Sequence, residues 1–302
     1  MYVHSSLGYG SLTIVGVKLL SKESPLSRKH PVYGTCHICG QHKKLSFEHV
    51  PPEKAFNNQP ARYANLLDII EGEGPNRPIK TRRYSQRGLG DYTLCEQCNN
   101  DTGAWYAHDF ALWCYQGMDI LVRSDFNPKL IYLHQIYPLR VVKQIATMMF
   151  SVCSAKFQSK HPDLVKFVLN KEWRYLSPEY RFFAYFNIEG ILRMIGNEMV
   201  VGKFDFSTGL GGRVFRMHEI SYPPFGYVMT LSGQDPIDSK LVDITHFTRY
   251  WYDELENAPL YLPVLPTELP IPGDYRTRAQ IDKESQENTA EAEASRGERL
   301  AS

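Results

Sequence analysis

The chain has 302 residues, of which 43% are hydrophobic and 22% are charged, a composition typical of a globular protein rather than of a fibrous or wholly disordered one. Lys and Arg together number 34 and Asp and Glu number 33, so the formal net charge is +1. This balance excludes a globally basic protein, and any contact with nucleic acid must come from a local patch.

The first 122 residues hold the cysteine motifs. Residues 1–31 combine a strand-like stretch over 11–20 with a basic linker, and we expect them to form an extension. Residues 32–122 contain two cysteine pairs, separated by a segment rich in Gly, Pro, Asn and Arg in which we predict a short helix over 61–70. After the second pair, apolar residues recur every three or four positions and predict a helix. The buried face of that helix is expected to consist of Tyr106, Phe110, Trp113, Cys114, Gly117 and Leu121.

The remainder of the chain predicts a second region and a tail. Helices are expected over 138–155 and 162–169, and strands over 180–188, 191–204, 214–217 and 225–232. Residues 123–270 are therefore predicted to form an α+β domain. Residues 271–302 are charged and almost free of large apolar groups, which predicts a disordered tail.

The two cysteine pairs are Cys36-His-Ile-Cys39 and Cys95-Glu-Gln-Cys98. A gap of two residues lets both thiolates of a pair face one ion, and the two pairs together supply the four ligands of a closed, structural zinc site. The alternatives are two unrelated pairs or a redox C-x-x-C motif. With such pairs and no apolar run long enough for a membrane span, we expect a soluble, cytoplasmic protein without a membrane partner.

Polar residues with catalytic potential lie close to both pairs. Glu48 and His49 follow the first pair and precede Val50-Pro51, and Asn99 directly follows Cys98. This arrangement resembles the HNH (ββα-metal) endonucleases, and most of all their phage endonuclease VII branch, over roughly residues 36–113. The resemblance implies a treble-clef nuclease domain over residues 32–122, stapled by structural zinc.

The resemblance also implies a role for each matching residue. Glu48 and Asn99 would hold a catalytic Mg²⁺ or Mn²⁺, and His49 would act as the general base. The first ligand is Glu rather than the more common Asp, and the third position is Asn rather than His. Asn100 or His108 could substitute as ligand, and Asn65 is a candidate for the middle Asn of the motif. Two other interpretations stay open. Glu48 and His49 could simply lie on a solvated surface, and Asn99 could cap the helix that starts after the second cysteine pair.

A basic stretch lies between the cysteine pairs. It has five basic residues and no acidic one, which is typical of phosphate contacts, although a merely solvated loop would have the same composition. Its basic residues are Arg77, Lys80, Arg82, Arg83 and Arg87.

These patterns lead to two functional hypotheses. The first is a metal-dependent HNH endonuclease that hydrolyses phosphodiester bonds in DNA, with RNA as the less favoured substrate, through water activated by His49; by analogy it would serve restriction or anti-phage defence. The second is a non-catalytic treble-clef zinc module that binds nucleic acid or protein. We expect residues 123–270 to recognise a protein partner or a second copy of the chain.

Overall fold

The computed structural model describes residues 15–18, 31–64, 83–188, 190–203, 213–233, 235–236, 238–269 and 271–301. The strands in chain order are β1 (Val15–Lys18), β2 (Val32–Thr35), β3 (His42–His49), β4 (Ala61–Ala64), β5 (Arg83–Ser85), β6 (Gly90–Cys95), β7 (Tyr132–Ile136), β8 (Arg181–Phe186), β9 (Leu192–Lys203), β10 (Arg213–Tyr222), β11 (Phe225–Thr230), β12 (Val242–Asp243) and β13 (Glu256–Leu260). The α-helices are α1 (Glu96–Thr102), α2 (His108–Arg123), α3 (Pro138–Val152), α4 (Phe157–Lys160), α5 (Pro162–Leu169) and α6 (Arg278–Ala301).

The cysteine pairs lie in a small unit of three strands and a helix. Strands β2, β3 and β6 form an antiparallel sheet in that order, and α1 starts directly after β6. A π-helical turn, Gly103–Ala107, joins α1 to α2, so that the helical backbone runs from Glu96 to Arg123. All six residues predicted to form the buried face of this helix are buried, and that prediction is confirmed.

An eight-stranded sheet forms the second layer, in the order β12-β8-β11-β10-β9-β1-β4-β5. Its strands come from the predicted extension, from the predicted zinc-bound domain and from the predicted α+β domain. Strand β1 lies parallel between β4 and β9 and joins the two halves of this sheet. The predicted domain boundaries near residues 31, 122 and 270 remain predictions.

Helix α3 occupies the centre of the molecule. It begins at Pro138, where a proline is tolerated because the first turn of a helix has no internal hydrogen-bond acceptor for its N–H. Thirteen of its other fourteen residues are buried, because the helix lies against the π-helical turn, α2, α5 and β9. One apolar cluster extends from Cys36 to Leu262 and includes this helix. The fold is therefore α+β around a shared core.

Two elements differ from the sequence predictions. Residues 61–64 form β4 rather than a helix, because alternating burial places Ala61 and Tyr63 inward and Arg62 outward, as a strand requires. The rest of that predicted helix, 65–70, lies outside the described residues. The tail, predicted to be disordered, contains α6. Its Ala, Glu, Arg and Lys residues are strong helix formers, and its described side chains are mostly exposed.

Among the described residues, no helix combines the length and the apolar character needed to cross a membrane.

Candidate metal and catalytic site

The four cysteines of the two pairs converge on one point. Cys36 and Cys39 lie in the turn between β2 and β3, Cys95 ends β6, and Cys98 lies in the first turn of α1. Their sulfur atoms all lie within 4.8 Å of one another, and the Sγ atoms of Cys39 and Cys95 are 3.9 Å apart. Four Zn–S bonds of about 2.3 Å in a tetrahedron place the sulfurs about 3.8 Å apart. The cluster therefore fits a structural zinc ion.

The thiols of this cluster interact strongly. A hydrogen bond with Cys98 lowers the pKa of Cys36 to about 4, and the same bond raises the pKa of Cys98 well above its ordinary value. Burial raises the pKa of Cys39. Such thiols must give up protons when a metal binds, so metal affinity falls with falling pH. Among the described residues, none of the six cysteines forms a disulfide bond.

Strand β3 presents Glu48 and His49 on opposite faces. Successive side chains of a strand alternate, so Ser46 and Glu48 share one face, while Phe47 and His49 share the other. The rings of Phe47 and His49 meet edge to face at 5.0 Å, in agreement with this alternation. Glu48 is buried, and its carboxylate accepts a hydrogen bond from the hydroxyl of Ser151 near the end of α3. The predicted second domain thus contributes a contact to this carboxylate.

The ring of His49 is held by one nitrogen. Its Nε2–H donates to the carbonyl of Arg87 at 2.8 Å, and the ring is half-buried. This bond fixes the tautomer in which Nδ1 carries the lone pair. Within the part of the chain that the structure describes, Nδ1 has no hydrogen-bond partner. The ring is therefore oriented and retains a nitrogen that can accept a proton.

Asn99 lies against the same face of β3 as Glu48. Its amide nitrogen donates to Ser46 Oγ at 2.9 Å and to the Phe47 carbonyl at 3.3 Å. The N-cap of α1 is Cys95, and no side chain caps it, so the alternative role of Asn99 as a helix cap is excluded. Its amide oxygen has no hydrogen bond to any described residue. Glu48 and Asn99 therefore offer oxygen atoms, the ligands that Mg²⁺ prefers.

Asn57 holds the loop beside His49, and sequence reasoning missed it. Its side chain is fully buried, and its amide nitrogen donates to the carbonyls of Pro51 and Leu89 at 2.6 and 2.7 Å. Its oxygen accepts from the Leu89 N–H at 2.6 Å. Gly88 fits this contact because its φ is +81° and a Cβ there would lie 2.1 Å from the Asn57 carbonyl oxygen. An Asn in a loop with no defined pattern gives no signal in the sequence.

Three members of the predicted basic stretch, Arg77, Lys80 and Arg82, lie outside the described residues, as does the alternative candidate Asn65. Arg83 begins β5, which pairs with β4, and nothing is described of its side chain. Arg87 has an exposed side chain, and its backbone carbonyl is the acceptor for His49. The end of the stretch therefore lies at the candidate general base.

The two alternative ligands do not share the position of Asn99. Asn100 is exposed, and His108 begins α2, nine residues further along the helical backbone. Neither residue forms a described hydrogen bond to β3. Asn99 is the member of this group that the structure brings to the strand of Glu48 and His49.

No protein-family model matches this chain, and neither a curated protein nor a solved structure matches it significantly. A functional assignment therefore depends on the chemistry of the site itself.

Proposed function

We propose that this protein is a metal-dependent endonuclease of the HNH type that hydrolyses phosphodiester bonds in DNA. The observation that carries the proposal is the state of His49, whose ring is anchored to a backbone carbonyl through one nitrogen and keeps the other for a proton. Because the ring of His49 is only half-buried, the nitrogen that the described residues leave unbonded would be accessible to an attacking water.

Each residue of the site would have a separate role in hydrolysis. His49 would accept the proton of the attacking water through Nδ1, while the Arg87 carbonyl keeps the ring in place. Asn57 would act as a positioning residue, because it fixes the backbone of the loop that carries this carbonyl. The side chain of Arg87, together with Arg77, Lys80, Arg82 and Arg83, would contact phosphates.

Glu48 and Asn99 would hold a divalent cation such as Mg²⁺ or Mn²⁺. When bound, such a cation stabilises negative charge on the phosphoryl and leaving oxygens. The four-cysteine zinc site has a different role. Four thiolates leave no open position for water or substrate, so the zinc would fix the start of α1, where Asn99 lies, against the turn between β2 and β3.

The proposal is tested by nicking of supercoiled plasmid in the presence of Mg²⁺ or Mn²⁺. Wild type is expected to nick, and His49→Ala is expected to be about 100- to 10,000-fold slower, the usual contribution of a general base. The matched control is His42→Ala, because His42 is an exposed residue at the start of the same strand. It should retain full activity. Zinc content and thermal unfolding establish that each variant is folded.

A specific observation favours one alternative, a non-catalytic zinc module that binds nucleic acid or protein. Glu48 is only 6% exposed and is bonded to Ser151. A purely structural carboxylate would have this environment. Equal nicking by wild type and His49→Ala would support the alternative. So would a zinc-loaded wild type that cleaves neither plasmid, single-stranded DNA nor RNA.

A further inference from the structure

One face of the sheet β2-β3-β6 lies against helices. Side chains at alternate positions of a strand share a face. Three alternate side chains of β3 contact α1 or α3: Lys44 meets Glu96, Ser46 meets Asn99, and Glu48 meets Ser151. The face of β3 that carries His49 is therefore the one turned away from these helices.

Two aromatic rings lie beside His49 on that face. Phe47 shares it by alternation, and Tyr92 of β6 is directly opposite Phe47 in the antiparallel register, so its side chain projects from the same face. The Phe47 ring is 5.0 Å from the ring of His49 and 5.5 Å from that of Tyr92, in edge-to-face contacts. All three residues are half-buried, and Tyr92 also packs against the core. Phe47 and Tyr92 thus form an aromatic pair that is fixed in place and reaches the surface.

Gly90 gives the Phe47 ring its position next to His49. Gly90 lies directly opposite His49 in the register, and a Cβ there would be 2.8 Å from two ring carbons of Phe47. The absence of a side chain therefore provides space for the ring at the end of the strand where His49 lies. A nucleotide whose phosphate meets His49 would have its base within reach of the aromatic pair.

The charges around the aromatic pair favour an anionic ligand. Arg87, whose carbonyl holds the His49 ring, has an exposed side chain, and the exposed Lys43 shares the face of Phe47 by alternation. The acidic residues of β3 and β6 are Glu48 and Asp91, which are opposite each other in the register and project from the other face. Phosphates can therefore approach the aromatic pair without meeting these carboxylates.

We infer that Phe47 and Tyr92 stack against an unpaired base of a single-stranded nucleic acid, next to the phosphate that meets His49 and Arg87. Aromatic rings beside basic side chains are the combination that binds single strands, because every base has a face that can stack. In a duplex the bases are paired and stacked on one another, so a base must first leave the helix to reach such rings. The substrate class is therefore nucleic acid with an unpaired base at the cleavage site.

The inference deepens the proposed function, and its statement about cleavage rests on that proposal. Binding of a single strand by the aromatic pair, in contrast, requires no hydrolysis. It can be measured without Mg²⁺ or Mn²⁺, so that the oligonucleotide stays intact.

The experiment measures fluorescence anisotropy of a labelled single-stranded DNA oligonucleotide, and of the duplex of the same sequence, with the zinc-loaded, full-length protein. Wild type should bind the single strand more tightly than the duplex. Tyr92→Ala and Phe47→Leu should each weaken binding of the single strand about fivefold or more, which is the usual effect of losing one stacking contact. Both variants should bind the duplex as wild type does. Tyr92→Phe retains the ring and should retain the affinity.

The matched control is Tyr33→Ala. Tyr33 is an exposed tyrosine of the same sheet, but it pairs with Lys44 and so projects from the opposite face. This control should bind the single strand as wild type does, and zinc content and thermal unfolding establish that each variant is folded. Wild-type affinity in both Tyr92→Ala and Phe47→Leu would overturn the inference. So would a folded wild type that binds neither oligonucleotide, or a loss in Tyr92→Phe as large as that in Tyr92→Ala.

Cleavage of the same oligonucleotides in Mg²⁺ distinguishes the two proposals. Tyr92→Ala should need more oligonucleotide for half-maximal cleavage and should keep its rate at saturation, because stacking contributes to binding rather than to the chemical step. Single-strand binding that depends on Tyr92, in a wild type that cleaves no nucleic acid, would uphold the aromatic pair and refute the nuclease. Cleavage by wild type, with binding unchanged in Tyr92→Ala and Phe47→Leu, would uphold the nuclease and refute the role of the aromatic pair.

Discussion

Asn57 and His49 are bonded to the same short stretch of backbone, residues 87–89. His49 donates to the carbonyl of Arg87, and Asn57 forms hydrogen bonds with both backbone groups of Leu89. The position of the His49 ring is thereby coupled to a buried amide in the loop between β3 and β4.

Asn57→Ala should lower stability and cleavage together. The change leaves the carbonyls of Pro51 and Leu89 and the Leu89 N–H without their present partner, at a cost of about 3 kcal/mol. We expect the remaining folded protein to nick plasmid at least about tenfold more slowly, because the Arg87 carbonyl is no longer fixed. The measurements are chemical denaturation and plasmid nicking.

The control for this change is Asn58→Ala. Asn58 is exposed and bonds only to the side chain of Gln59, so its loss should change stability by less than about 0.5 kcal/mol. If Asn57→Ala were as stable and as active as Asn58→Ala, Asn57 would have no positioning role.

Asn99→Ala should raise the Mg²⁺ concentration needed for half-maximal cleavage and slow cleavage by about 100-fold, since it removes an oxygen donor at the proposed metal. Asn100→Ala is the neighbouring control and should leave both values unchanged, because Asn100 is exposed. Plasmid nicking over a Mg²⁺ titration provides both values. An identical Mg²⁺ dependence for the two variants would exclude Asn99 as a ligand.

Cys95→Ser should abolish zinc binding, because it removes one of four sulfur ligands. Zinc binding is coupled to folding in such sites, and we expect a loss of about 5 kcal/mol or more in the free energy of unfolding. Metal analysis and thermal unfolding test this. Cys114→Ala is the control, since Cys114 is a buried thiol outside the cluster. It should keep about one zinc per chain. A zinc-free wild type that unfolds at the same temperature would refute a structural role for the metal.

The sequence predicted the features that depend on local pattern. The two-residue spacing of the cysteines and the period of apolar residues between Tyr106 and Leu121 each reflect neighbours along the chain. The structure brings the four sulfurs together and buries that helical face. Strand β4 was misread because the sequence Ala-Arg-Tyr-Ala favours a helix locally, while pairing with β1 and β5 makes it a strand.

The features that sequence reasoning missed depend on contacts between distant residues. Ser151 meets Glu48 across 103 positions, and Asn57 meets Leu89 across 32. Thr93 is an extra residue of β6 between two residues that pair with β3, and this bulge exists only in relation to β3. A single sequence shows the residue types at these positions but not which of them meet, so the loop around His49 and the contact between Ser151 and Glu48 required the structure.

Acid should destabilise the protein between about pH 6.5 and pH 4, because two buried histidines resist protonation. Burial lowers the pKa of His134 to about 4, and burial with the nearby charge of His161 lowers that of His218 to about 4. The unfolded chain therefore takes up protons first as the pH falls through 6.5. Stability is greatest above that pH and is lost on the way to 4, by about 3 kcal/mol for each histidine.

The test compares wild type with His134→Gln from pH 7.5 to 4.5 by thermal unfolding. In wild type, Trp113 Nε1–H donates to His134 Nδ1 at 3.2 Å, a bond that only an unprotonated Nδ1 can accept. Glutamine can accept that bond but does not titrate. Wild type should be the more stable at pH 7.5, and the difference should narrow as the pH falls. Loss of zinc at low pH would affect both proteins equally. A difference in melting temperature between wild type and His134→Gln that does not change with pH would show that His134 does not resist protonation in the folded state.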